Sequence, residues 1–72
     1  IAFNTEEKSD VYYAVAELPQ KYRAVIHLFY YEDLSVADIS RALNIKETTV
    51  KSQLSRGREM LRKKLKGGYD SV

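Results

Sequence analysis

At 72 residues the chain is long enough for one domain with a modest core, and it has no cysteine, which excludes a disulfide framework and a thiolate metal site and suits a reducing, cytoplasmic setting. No apolar run reaches the length of a bilayer span, and the opening Ile1-Ala2-Phe3-Asn4 lacks the charged-then-apolar order of a signal peptide. The net charge of +2 conceals an asymmetry: residues 1–45 carry −3, whereas residues 46–72 carry +5, and a basic third on an acidic body suits a polyanionic partner.

The start at Ile1, without an initiator Met, predicts a piece of a longer protein. Residues 1–8 are polar and read as a frayed tail. Ser9 or Asp10 caps a first helix running to about Leu18, with Val11, Ala14, Val15 and Leu18 on one face. Pro19 ends that helix and suits the first turn of the next. The second helix, about 20–32, turns Tyr22, Val25, Ile26 and Phe29 inward. Glu32-Asp33-Leu34 is a connector. Ser35 is the N-cap of a short third helix, 36–43, and Asp38 supplies the acidic partner in its first turn. Ile39 and Leu43 point inward from it. Asn44 tolerates the left-handed conformation that ends a helix, and Ile45 plugs the core from the turn.

The fourth helix is predicted from about Glu47 to Leu65. Val50, Leu54, Gly57, Leu61 and Leu65 lie within a sector of about 80° on its surface, which marks the buried face. Gly67-Gly68 is expected to stop it and leave a short tail. No stretch alternates with the period of a strand. The expectation is an all-α, four-helix single domain spanning 1–72, ordered over about 9–66 with tails at 1–8 and 67–72, and with a helix-turn-helix at its C-terminal side.

Residues 35–56 carry the function. A short capped helix joined to a longer one by about three residues crosses it steeply, as in a helix-turn-helix, and Ser40 stands where a small side chain is required. A recognition helix presents its N-terminal half to base edges in the major groove. Here that half offers Lys51, Ser52, Ser55 and Arg56 for base reading, since Arg and Lys donate to guanine and Ser pairs with several base edges. Thr48, Thr49, Gln53, Arg58 and Arg62 fall where phosphates would run.

Other features are read as structural. His27 lies off the apolar face as a solvated histidine, with no second histidine or cysteine to join it in a metal site. The pairs Glu6-Glu7 and Glu32-Asp33 point apart on a helix. No nucleophile–base pairing or glycine-rich phosphate loop is present in the sequence, so neither an enzyme nor a cofactor is expected. The run Arg62-Lys63-Lys64-Leu65-Lys66 is flanked too broadly by polar residues for a membrane patch to lead.

Three stretches taken together resemble a known family: Leu18-Pro19-Gln20-Lys21-Tyr22-Arg23-Ala24-Val25, then Leu34-Ser35 through Ile39, then Thr49-Val50-Lys51-Ser52-Gln53-Leu54-Ser55-Arg56-Gly57-Arg58-Glu59-Met60-Leu61. They look like region 4 of bacterial sigma-70 family sigma factors, most nearly the extracytoplasmic-function group, over about residues 8–66. The resemblance implies binding of the promoter −35 element in double-stranded DNA, with Lys51, Ser52, Ser55 and Arg56 facing bases and Thr49, Gln53 and Arg58 near the backbone. It also implies docking on the β flap of RNA polymerase, masking by an anti-sigma factor, and a separate −10 domain in the intact factor. Two positions depart from the family pattern: Gln53 stands where Arg is common and Gly57 where Ala is common. Tyr12, Tyr13, Leu28 and Tyr31 fall outside the core stripes and offer a surface for protein partners. The alternative reading is therefore a protein-interaction module for which DNA contact is secondary. A third, the output domain of a two-component response regulator, calls for Leu-Thr and Arg-Glu where this chain has Leu18-Pro19 and Arg23-Ala24.

Overall fold

A computed structural model describes the backbone of residues 10–70 and the side chains of residues 10–66. The expected tail at 1–8, Ser9 and residues 71–72 lie outside the described residues. Four helices follow one another: α1 (Asp10–Ala16), α2 (Gln20–Ile26, continued by a π-helical turn over His27–Tyr31), α3 (Val36–Leu43) and α4 (Glu47–Asp70). No strand occurs among the described residues. The all-α class and the order of helices are as the periodicity predicts.

Pro19 separates α1 from α2. A residue before proline is driven out of the α region, so α1 closes at Ala16, short of Leu18, and its last turn tightens through Leu18 N–H donating to the Val15 carbonyl at 3.0 Å. Leu18 still reaches the core from the connector. The second helix also differs from the expected single rod. At His27 it widens, and Glu32 N–H reaches back five residues to the His27 carbonyl at 3.1 Å. Asp33 then takes a positive φ of 64° and turns the chain towards α3.

The α3 start is as read. Asp38 N–H donates to Ser35 Oγ at 3.0 Å, and the Ser35 N–H donates back to Asp38 Oδ2 at 3.4 Å, closing a capping box. The α3 end is Asn44 at φ 58°, ψ 48°, the left-handed conformation that Asn tolerates better than most residues. Ser40 holds this corner. Its carbonyl accepts from the N–H groups of Asn44 and Ile45, and its hydroxyl donates to the Ile45 carbonyl. A small residue was expected there for steric room; the hydroxyl adds a bond across the corner.

The core is Val15, Leu18, Val25, Ile26, Ile39, Val50 and Leu54, with Tyr22, Phe29, Ile45 and Leu61 packed against it. α4 packs on all three other helices, most extensively on α2. Two expected core residues are corrected. Leu43 is 37% exposed, because the corner at Asn44 carries the end of α3 off the core and Ile45 fills the space. Val11 is 41% exposed, because it stands at the lip of a groove between α1 and α4. The expected helix stop at Gly67-Gly68 is also corrected: α4 continues to Asp70, and no described glycine has a positive φ. Glycine permits a left-handed stop without enforcing one, and no proline follows here to forbid another turn.

Gly57 is buried where α4 crosses α2. A Cβ there would stand 3.0 Å from Ile26 Cγ1, 3.2 Å from Ile26 Cδ1 and 3.6 Å from Tyr22 Cβ. The close crossing is thus the reason for glycine in mid-helix. Gly57→Ala should come out near neutral in a denaturant melt, since up to about 1 kcal/mol of helix propensity opposes the strain against Ile26. Gly57→Leu should destabilise by about 1–3 kcal/mol or more.

The Ser35 side chain, by bonding Asp38, lowers that carboxyl below its ordinary value, with the Ser35 backbone N–H and Arg41 adding to it. A carboxyl with a lower pKa in the folded than the unfolded state stabilises the fold at neutral pH. That contribution fades as pH falls below the unfolded value of about 3.9. Ser35→Ala should cost about 1 kcal/mol at pH 7. Asp38→Asn should flatten the acid limb of a stability–pH curve, measured by thermal melts from pH 7 to pH 2.

Candidate nucleic-acid interface

Once the Asn44 corner fixes the direction of α4, its apolar stripe decides what faces out. Val50, Leu54 and Gly57 are buried, and Leu61 and Leu65 are half-buried. At 100° per residue the opposite side must carry Thr48, Ser52, Ser55, Arg56 and Glu59, with Lys51 on one flank and Gln53 on the other. Thr48, Lys51, Ser52, Ser55 and Arg56 are all exposed, while Thr49 and Gln53 are half-buried at the edge. The structure thus brings the four proposed base readers onto one outward surface, in the first three turns of α4.

The basic residues of α4 divide by what holds them. Arg58 Nε donates to the Tyr30 hydroxyl at 2.7 Å, and its guanidinium lies 5.9 Å from the Tyr30 ring centroid. Arg62 pairs with Glu59 one turn back; its hydrogen bond to Glu59 lowers that carboxyl's pKa and raises that of Arg62. Lys64 Nζ reaches Glu17 Oε1 at 3.2 Å and ties the far half of α4 to the connector just after α1. Among the described residues no side chain pairs with Lys51 or Arg56. A free Arg and a free Lys on an exposed helix face, with two serines between them, are available donors for base edges. The Arg62–Glu59 pair is an exposed one and so weak enough to be exchanged for a phosphate.

Gln53 borders a cleft between α2, the end of α3 and α4, which also takes in Gln20, Lys21, Leu43 and Ile45. Its amide therefore lies beside the exposed N-terminal end of α2. The opposite flank of α4 borders the apolar groove of about 440 Å³ near Val11, where Val15, Ile26, Leu61 and Leu65 form the floor and Tyr30, Arg58 and Arg62 the rim. Tyr31 also lines that groove, Tyr12, Tyr13 and Tyr31 are each about half exposed, and Leu28 is half-buried against the core. His27 is exposed, with Nε2 3.3 Å from Glu32 Oε2. Among the described residues no three His, Cys, Asp or Glu side chains gather as a metal site, and no helix is long and apolar enough to cross a membrane.

Sequence reasoning did not single out Tyr30. In an unbroken helix it stands four residues after the buried Ile26 and would count as core. The π-helical turn that carries it to α4 has no signature in residue spacing.

A capped short helix, a left-handed corner and a longer helix with a basic outer face define a helix-turn-helix domain. Residues 8–61 match the family described as Sigma-70, region 4, and the chain belongs to that family. It is similar to the ECF RNA polymerase sigma factor SigW of Bacillus subtilis (strain 168), at 50% identity over 52 residues. The match takes in 72% of this chain and 28% of that protein, so the chain matches less than a third of its relative's length.

Proposed function

We propose that this chain is the part of an extracytoplasmic-function sigma factor that binds the −35 promoter element, and so takes part in transcription initiation in a bacterial cytoplasm. The observation that carries the reading is the outward face of α4, where Lys51 and Arg56 are exposed and unpaired among the described residues. In this reading Lys51, Ser52, Ser55 and Arg56 contact bases. Thr48, Thr49, Gln53, Arg58 and Arg62 contact phosphates on either side. Membership of the region 4 family and the likeness to a named sigma factor support it. The same reading gives the chain RNA polymerase as a partner, through the β flap, and allows an anti-sigma factor. The apolar groove edged by Tyr30 and Tyr31, together with the exposed Tyr12 and Tyr13 of α1, is the surface that favours such protein docking. The chain performs no catalytic step.

The test is selection of duplexes from a random pool by the chain, followed by fluorescence anisotropy with an enriched duplex and its scrambled version. Binding should weaken steeply as salt rises and favour the enriched sequence. Lys51→Ala and Arg56→Ala should each narrow that preference by about 1–3 kcal/mol. An unchanged ratio in both variants would remove these residues from the base-reading set. Flap capture without salt-sensitive DNA binding would favour the interaction-module reading instead.

A further inference from the structure

Among the described residues, Arg58 is the one arginine of α4 whose guanidinium is held by a residue from another helix. Tyr30, 28 positions earlier, accepts from its Nε at 2.7 Å. The Tyr30 ring is itself braced edge-on by Phe29, with ring centroids 4.9 Å apart, and Phe29 packs against the core. Behind this support lies the widened turn in which Glu32 N–H reaches the His27 carbonyl. A guanidinium carries five N–H donors in a fixed planar fork. The bond to Tyr30 uses the Nε donor, and among the described residues nothing accepts from the two terminal nitrogens. Lys51 stands seven residues before Arg58, which is within about 20° of it around the helix and about 10 Å along the axis. The two cations therefore lie on one flank of the base-reading face.

We propose that Tyr30 is a positioning residue for DNA binding: it fixes the Arg58 guanidinium so that the terminal nitrogens meet a backbone phosphate beside the groove that Lys51 enters. The inference deepens the DNA-binding reading and rests on it. The tyrosine supplies order rather than charge. An arginine held in place before binding loses less freedom when the phosphate arrives, and its planar fork then meets two oxygens together. Arg62 is held by Glu59, a carboxylate on its own helix, and that carboxylate competes with phosphate for the same donors. The neutral phenol at Arg58 does not compete in this way.

The experiment is a double-mutant cycle on the full 72-residue chain with Tyr30→Phe, Arg58→Ala and the double variant. The probe is the fluorescein-labelled enriched duplex, titrated at several KCl concentrations. Arg58→Ala should reduce the slope of log K against log salt by about 0.9, the signature of one lost phosphate contact. Tyr30→Phe should leave that slope near the parent's, because the charge remains, and weaken binding about two- to tenfold through lost ordering. In the Arg58→Ala background Tyr30→Phe should have no further effect. The Arg58 Nε–H resonance of the free chain should exchange slowly with solvent and lose that protection in Tyr30→Phe. A Tyr30→Phe loss of equal size with and without Arg58, or a salt slope unchanged by Arg58→Ala, would overturn the proposal alone. A parent chain without salt-dependent binding would overturn the DNA-binding reading and this inference with it.

Discussion

The left-handed backbone at Asn44 decides the direction in which α4 leaves α3. Three residues hold it. Asn44 accepts the positive φ, Ser40 takes two backbone N–H groups on its carbonyl and returns its hydroxyl to Ile45, and Ile45 drops into the core. The apolar stripe of α4 can meet Ile39, Val25 and Ile26 only from the angle that this corner imposes. A β-branched residue at position 44 would resist the left-handed region, and the outward face of α4 would turn with the helix. The orientation of Lys51 and Arg56 is therefore a consequence of a three-residue corner that touches neither of them.

Gly57 sets the second constraint. It lets α4 approach α2 until Ile26 packs against bare backbone. The close crossing brings the flank of α4 within hydrogen-bond reach of the π-helical turn, and Arg58 beside Gly57 meets Tyr30 there. One face of α4 is thus fitted to α2 and its neighbours α1 and α3, an adjoining edge is held by Tyr30, and the face opposite is open. Among the described residues, Arg58 and Lys64 are held by side chains from outside α4 and Arg62 by Glu59 of its own helix, whereas Lys51 and Arg56 have no side-chain partner.

Local features were legible in the sequence. Ser35 with Asp38, Asn44 and the 3.6-residue stripe of α4 act through neighbours within four positions, so their spacing alone specifies them. What escaped depends on contacts between distant segments. Leu43 and Val11 have the right period for burial, but their exposure is decided by where the corner and the groove leave space. Gly57 looks like a loss of helix propensity until Ile26 and Tyr22 are seen against it. The helix end at Gly67-Gly68 was misread because glycine allows both a stop and another turn. The exposure of the four proposed base readers could be foreseen from helical phase. The hold of Tyr30 on Arg58 could not, since it joins positions 28 apart through a widened turn.

The central claim is that DNA meets the outer face of α4 and not the tyrosine-rich side of α1. Titration of an enriched duplex into the isotopically labelled chain, followed by amide and side-chain NMR shifts, tests this residue by residue. The account predicts the largest changes at Thr48, Lys51, Ser52, Ser55 and Arg56. Changes concentrated at Tyr12, Tyr13 and Tyr31, with those five residues unmoved, would contradict it.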